Sequence, residues 1–340
     1  MTKGERPVAQ ADASAGGSTL THHCSLPVLG IRVRFEANDR RPIDIAEEAF
    51  GAWRTLESKP DLIDAGPVRV RVLVEPGTEG DDESHAPLAH QLDGPGRVTI
   101  TTPGSRAVAD VRRGEAIVRV TERLLADRQH FRYGILEAVT LCMLSSRDRQ
   151  PVHAAAVTRA GAVLLLAGPS GTGKSTLAYA AATRLGCRIL AEDVVNVQMR
   201  PALRLWGLPG FLHLPLAAAH HFPELRDSAP TLLANGKTKI AVALERIGAL
   251  PRQPFATRAG ICILERGDGP ASLEPLAPAA IVRALTTRLE PGFDVYADTI
   301  GECIAALATR GGWLLRTSPR PDDAFPLIDR ALATISGNTP

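Results

Sequence analysis

The sequence predicts an α/β protein whose second half combines strands with helices and whose first half is an α+β module. Two observations lead to this fold class. In the second half, a short apolar run at residues 162–167 is followed by a glycine-rich loop and then by a helix-forming stretch at residues 175–185. In the first half, polar and apolar residues alternate at 31–35, 68–74 and 98–102, which is typical of half-buried strands.

The same patterns divide the chain into three parts. Residues 1–23 are rich in Ala, Gly, Ser and Thr without apolar periodicity, so we predict a disordered tail. Residues 24–150 form the predicted α+β module, with helices at 43–56 and 129–145 and a hairpin at 107–121, and its expected role is substrate recognition or assembly. Residues 151–335 form a second predicted domain, in which the apolar run at 152–157 is expected to be one strand.

Composition excludes several classes of function. The 340-residue chain has 44% hydrophobic and 22% charged residues, as globular proteins do, and its formal charge of +2 gives no argument for a nucleic-acid partner. No apolar run approaches the roughly 18 residues of a membrane span, and no signal-peptide pattern is visible, so we expect a cytoplasmic protein without a membrane partner. The 5 cysteines are scattered and predict neither a disulfide framework nor a zinc site.

The glycine-rich loop carries the chemistry that is clearest from the sequence. It matches G-x-x-x-x-G-K-S over Gly168, Pro169, Ser170, Gly171, Thr172, Gly173, Lys174 and Ser175, with Thr176 next. Such a loop between a strand and a helix turns backbone N–H groups toward a nucleotide triphosphate. Lys174 is expected to reach the β- and γ-phosphates of ATP, and Ser175 to ligate Mg²⁺. The alternative is a glycine-rich turn that binds nothing.

Two acids follow the next predicted strand, which covers residues 187–190. Glu192 and Asp193 would lie near the loop if the two strands are neighbours, where carboxylates can hold Mg²⁺ and accept a proton from an attacking hydroxyl. The alternative is a pair of surface acids at a strand end. His153, taken alone, is a lone histidine among apolar residues, which is more often a core residue than a catalyst.

Together, these residues resemble the HPr kinase/phosphorylase-like serine kinases, whose cores are similar to that of phosphoenolpyruvate carboxykinase. His153 precedes the loop by the family's spacing, the loop itself matches, and Glu192-Asp193-Val194-Val195 stands where the family has Asp-Asp-Val-Val. The resemblance implies that residues 151–335 form a catalytic domain with a P-loop kinase core of that type and a mainly mixed β-sheet. It also implies that His153 orients the carboxylate that acts as the base. Glu192 departs from the family pattern, so Asp193 is the preferred base and metal ligand.

The resemblance also implies an acceptor. The stretch that HPr kinases use to contact HPr is absent, and standalone relatives of this size resemble kinases of peptide-modification systems, such as those that phosphorylate lasso peptide precursors. A peptide or protein serine is therefore the expected acceptor. Lys237 stands in a turn where related proteins often place a lysine, which suggests either a substrate contact or a solvated hairpin tip. The family's hexamers raise a homo-oligomer as an option by analogy alone.

The sequence thus predicts an ATP- and Mg²⁺-dependent kinase acting on a serine hydroxyl, with His153, Lys174, Glu192 and Asp193 as catalytic residues. Two alternatives stay open. One is a nucleotide-binding regulatory or scaffold protein with a degenerate kinase core. The other is a kinase of a small molecule such as free serine, although the large N-terminal module favours a larger acceptor.

Overall fold

The structure, a computed structural model, describes residues 19–54, 68–77, 88–93, 96–233, 236–286 and 297–337. Within these ranges the chain is a mixed α/β protein with four β-sheets of 7, 6, 4 and 3 strands. The predicted α/β class is therefore confirmed.

The first half builds the seven-stranded sheet. Its strands are β1 (His22–Val28), β2 (Ile31–Ala37), β3 (Val68–Glu75), β4 (Ala89–Leu92), β5 (Arg97–Thr102), β6 (Ser105–Asp110) and β7 (Glu115–Thr121). They lie in the order β1-β2-β3-β7-β6-β5-β4, with β2, β3 and β7 parallel and the other neighbours antiparallel. The strands predicted at 31–35, 68–74 and 98–102 are confirmed as β2, β3 and β5, and burial alternates along β2 and most of β3.

The boundary of the predicted tail is two residues too late. β1 begins at His22, and His22 and His23 pair with Ala37 and Glu36 of β2. Most of the predicted tail, residues 1–18, lies outside the described residues. The two histidines belong to β1 because their backbones pair with β2. Amino-acid composition does not predict this pairing.

The helices of the first half pack against one face of this sheet and share an apolar core with it. They are α1 (Arg40–Phe50), α2 (Glu122–Ala126), a π-helix (His130–Glu137) and α3 (Ala138–Ser145). Asp39 caps α1 by accepting a hydrogen bond from Arg41 N, which explains why this helix begins before the predicted residue 43. It ends at Phe50 and continues as a 3₁₀ turn to Arg54, and residues 55 and 56 lie outside the described residues. The predicted helix 129–145 is the π-helix joined to α3.

The second half contains the other three sheets. Its strands are β8 (Gln150–His153), β9 (Ala155–Arg159), β10 (Ala162–Ala167), β11 (Arg188–Ala191), β12 (Val194–Gln198), β13 (Arg204–Trp206), β14 (Phe211–Pro215), β15 (Pro230–Leu232), β16 (Thr238–Ala243), β17 (Phe255–Ala256), β18 (Arg258–Arg266), β19 (Ser272–Pro275) and β20 (Gly312–Thr317). Its helices are α4 (Lys174–Leu185), α5 (Pro278–Thr286), α6 (Ala297–Ala308) and α7 (Phe325–Ser336). None of the helices in the described ranges has both the length and the apolar character needed to cross a bilayer.

The central sheet of the second half has the order β11-β9-β10-β18-β20-β19. Helices α4 and α7 pack on one face, where Leu164 and Leu166 of β10 join Ala178 and Ala331 in one apolar core. On the other face, α5 and α6 pack against Val163 and Leu165. Strand β10 is buried along its whole length because both of its faces are covered.

The expectation of one strand over 152–157 is wrong. The chain forms β8 and β9, which are separated at Ala154 and belong to different sheets. Strand β8 pairs with β12 in the four-stranded sheet, whereas β9 pairs with β10 and β11. The apolar run is continuous because both strands are buried. Periodicity alone therefore could not show that the chain passes from one sheet to another at Ala154.

The two halves share an apolar contact. Trp206 of β13 is fully buried in the core of the first half, with its ring centroid 5.6 Å from that of Trp53. A Cβ on Gly30 would lie 2.5 Å from the Trp206 ring, so glycine permits this close approach. Arg149 adds a polar link by donating a hydrogen bond to Leu29 O at 2.7 Å.

Candidate active site

Strand directions bring three sequence segments to one edge of the six-stranded sheet. Strand β9 runs antiparallel to both β10 and β11, so β10 and β11 are parallel to each other. The end of β10, the end of β11 and the start of β9 therefore lie at the same edge. They carry the glycine-rich loop, the pair Glu192-Asp193 and the histidine His153, respectively.

The glycine-rich loop leads directly from β10 into α4. Gly171 and Gly173 have φ angles of 84° and 100°, a left-handed region that side chains other than glycine's disfavour. No side chain caps the N-terminus of α4, which begins at Lys174 after Gly173. The first backbone N–H groups of the helix therefore remain available for an anion.

The other residues of the loop make contacts within the loop and with the sheet. A Cβ on Gly168 would lie 3.0 Å from Leu264 O, so glycine allows the loop to pass close to β18. Thr172 Oγ1 donates to Pro169 O at 2.8 Å, while Ser170 lies exposed at the tip. This internal bond stabilises the turn without using the N–H groups at the start of α4.

Lys174, Ser175 and Thr176 form the first turn of α4. The side chain of Lys174 is buried, and its ammonium group donates to Gly168 O at 2.8 Å and to Pro169 O at 3.2 Å. Two carbonyl oxygens thus hold a positive charge directly beneath the loop. Ser175 and Thr176 are half-buried beside it.

His153 and Asp193 meet at the crossing between two sheets. His153 is the last residue of β8 and pairs in register with Val194, the first residue of β12. Its Nε2 lies 3.2 Å from Asp193 Oδ1. The Asp193 side chain is 57% exposed, so the carboxylate is accessible to a substrate while it contacts the imidazole.

Glu192 has a different partner, His213 on β14. The backbone N–H of His213 donates to Glu192 Oε1 at 2.7 Å, and His213 Nδ1 lies 2.7 Å from Oε2. Both carboxylate oxygens are therefore engaged, and the side chain is only 19% exposed. This arrangement fixes Glu192 between two parts of the fold.

A close backbone approach brings the segment that precedes β14 onto β11. A Cβ on Gly207 would lie 1.7 Å from Leu190 O, so no other residue fits without moving the backbone. Strand β14 is then held by β16, on which Ala241 faces His213. Gly207 thereby allows His213 to reach Glu192.

The first half of the chain contributes a charged network beside this pair. Arg132 of the π-helix donates to Glu137 Oε1 at 2.7 Å and to Glu48 Oε1 at 2.8 Å. Burial raises the pKa of Glu137, and the charges of Arg132 and His213 oppose that shift. Burial also raises the pKa of Tyr133, and the negative charge of Glu192 acts in the same direction. Charges of the Glu192–His213 pair thus act on the pKa values of two groups of the α+β module.

Lys237 is exposed and directly precedes β16, the neighbour of β14. It lies in the turn between β15 and β16, where Leu233 N donates to Lys237 O at 2.9 Å. Its role in substrate binding stays a prediction.

The residues present fit a metal bound jointly with phosphate rather than by protein side chains alone. Within the described ranges, no group of at least 3 His, Cys, Asp or Glu side chains is arranged to hold a metal ion. Glu192 contacts His213 through both of its oxygens, and its predicted role as a metal ligand stays a prediction. Asp193 and the Ser175 hydroxyl keep oxygen atoms of the kind that Mg²⁺ prefers.

Sequence reasoning did not identify His213, Arg132, Tyr133 or Glu137. The alternating segment 211–215 does place His213 on the more exposed face of a strand, opposite the buried Leu212 and Leu214. Its partner lies 21 residues earlier in the chain, and no local pattern joins the two.

Comparisons with known proteins add little to this geometry. No protein-family model matches the sequence, and no curated protein matches it. Among solved structures, the chain is similar to the HPr(Ser) kinase/phosphatase from Coxiella burnetii, with 14% identity over 55% of this chain and 89% of that chain and a TM-score of 0.27. This is a distant structural relationship and identifies neither the type of core nor an activity.

Proposed function

We propose that this protein is an ATP- and Mg²⁺-dependent kinase that transfers the γ-phosphoryl group to a serine hydroxyl of a peptide or protein. One observation carries the proposal. The phosphate-loop motif and a carboxylate–histidine pair, Asp193 with His153 at 3.2 Å, lie at the same edge of one sheet. Phosphoryl transfer needs an anion cradle and a positioned proton acceptor close together.

In this proposal the loop binds the phosphates of ATP. The uncapped N–H groups at the start of α4 donate to phosphate oxygens, and the Lys174 ammonium group exchanges its two carbonyl partners for the β- and γ-phosphates. Ser175 and Asp193 would hold Mg²⁺, which neutralises charge on the phosphates during transfer.

Asp193 is the proposed base. Its exposed carboxylate accepts the proton of the attacking hydroxyl, while His153 fixes its orientation from the neighbouring strand. Glu192 is assigned a positioning role instead of a catalytic one, because its oxygens are bonded to His213.

The acceptor assignment rests on the sequence resemblance together with the surroundings of Asp193. Its exposure leaves room for a large acceptor, and the size of the N-terminal module favours one. A peptide serine, as in lasso-type precursors, is the acceptor that we propose, and Lys237 is a candidate contact for it. Assembly into a homo-oligomer remains part of the proposal by analogy.

One observation favours a second candidate, a nucleotide-binding protein that transfers no phosphate. Glu192 is engaged by His213 on both oxygens and leaves Asp193 as the single accessible acid of the pair. Such a protein would bind ATP through the same loop without turning it over.

The test is transfer of labelled γ-phosphate to a library of serine-containing peptides, with Mg²⁺ present and with Mg²⁺ chelated. Lys174→Ala is expected to lower transfer at least about 10³-fold, because it removes the charge that the loop holds against the transferring group. Lys3→Ala, in the predicted tail, serves as the matched control and should behave as wild type. ATP binding without labelled peptide or phosphate release would favour the second candidate. Full transfer by Lys174→Ala would refute the proposed site.

A further inference from the structure

A second concave site lies at the opposite edge of the six-stranded sheet. A cavity of about 510 Å³ is bounded by the β9–β10 turn, the start of β11 and the segment 251–258. The phosphate loop follows the far end of β10, whose 6 residues span about 20 Å at roughly 3.3 Å per residue. The cavity is therefore separate from the proposed active site.

The wall of this cavity is strongly basic. Arg159, Arg188, Arg252 and Arg258 line it, and none of the described residues that line it is acidic. Arg159 is neutralised by Asp329, with the charged atoms 2.6 Å apart. Among the described residues, no carboxylate forms an ion pair with the other three, so their charges remain uncompensated.

Two of these guanidinium groups are already held in place by neutral partners. Arg188 Nη1 donates to Gly248 O at 3.0 Å and to Leu250 O at 2.7 Å. Arg258 donates to Ser336 O and to Ala160 O, both at 3.1 Å. A guanidinium has five N–H donors, so each group keeps donors for a ligand. Carbonyl oxygens fix these groups without removing their charge, which lowers the entropy cost of binding an anion.

The rest of the wall is partly apolar. Leu190, Pro251 and Phe255 line the same cavity, whose volume falls in the range of small-molecule sites. Three uncompensated arginines beside an apolar surface match a compact ligand with more than one negative group.

We propose that this cavity binds a small, multiply charged oxyanion, with phosphate or carboxylate groups contacting Arg188, Arg252 and Arg258. This site is independent of the proposed kinase function. Arg252 lines the cavity, is exposed and makes no hydrogen bond described for the protein, so its guanidinium group is available to a ligand.

The test measures binding of inorganic pyrophosphate and of citrate by calorimetry, at constant ionic strength and without ATP or Mg²⁺. The full-length chain carries Lys174→Ala throughout, so that anion binding at the phosphate loop is weakened. On this background we expect Arg252→Gln to weaken binding at least fivefold and Arg188→Gln combined with it to abolish binding. Arg226→Gln is the control, since Arg226 is an exposed arginine outside the cavity without a described side-chain partner.

Each binding result has one interpretation. Binding of pyrophosphate alone identifies a phosphate ligand, and binding of citrate alone identifies a carboxylate ligand. The proposal is overturned if neither probe binds, or if Arg252→Gln and Arg226→Gln bind equally well. None of these outcomes depends on phosphoryl transfer.

Discussion

Glu192 and Asp193 are neighbours in the chain, yet the fold places them in different environments. Glu192 is 19% exposed, and both of its oxygens are bonded to His213. Asp193 is 57% exposed and contacts His153 at one oxygen. The comparison shows that an acidic pair at a strand end need not act as a unit. One member fastens the site to the surrounding fold, and the other is accessible to a substrate.

The two histidines reach the acids from different sheets. His153 ends β8, next to β12 in the four-stranded sheet, whereas His213 lies on β14 in the three-stranded sheet. Glu192 and Asp193 lie between β11 and β12, at the point where the chain leaves one sheet for another. Each acid therefore contacts the sheet that it faces, and the two acids differ in partner and in exposure.

The largest difference between the two acids is expected in catalysis. Asp193→Asn should lower phosphoryl transfer by about 10²–10⁴-fold, the range for loss of a general base, while ATP affinity measured without Mg²⁺ stays near wild type. Glu192→Gln is the matched variant, because it too exchanges a carboxylate for an amide. If both variants lost transfer equally, the division of roles between the acids would be wrong.

A smaller loss of phosphoryl transfer is expected when His153, the partner of Asp193, is replaced. His153→Gln should lower transfer by about 10–100-fold, since Asp193 remains but is less well oriented. A double-mutant cycle with Asp193→Asn tests the coupling, and we expect the double variant to be little worse than Asp193→Asn alone. Fully additive losses would show that the two side chains act separately.

Substitutions in the Glu192–His213 pair are expected to have the smallest effect on transfer and the clearest effect on stability. Glu192→Gln and His213→Ala should each lower the free energy of unfolding by about 1–3 kcal/mol, because each removes a half-buried, charge-assisted contact. Transfer by the folded variants should fall less than about tenfold. Urea denaturation and transfer assays on the same samples check both parts. A normal stability combined with lost transfer would reassign Glu192 to catalysis.

Local patterns predicted much of the fold because they depend on contacts close in sequence. The strand at 162–167, the loop and the helix after it follow from burial, glycine spacing and the N-terminus of α4. The same patterns failed at Ala154, where β8 and β9 separate within one apolar run. Both strands are buried, so the apolar run does not show that they belong to different sheets.

The sequence by itself determined the phosphate-loop motif and the presence of a histidine and two acids at plausible spacing. The tertiary structure decided which histidine meets which acid. It joined His153 to Asp193 through strand pairing and His213 to Glu192 through the contact of Gly207 with β11. Hydrogen bonds act over about 3 Å, so they are set by which strands become neighbours, and no spacing along the chain records that choice.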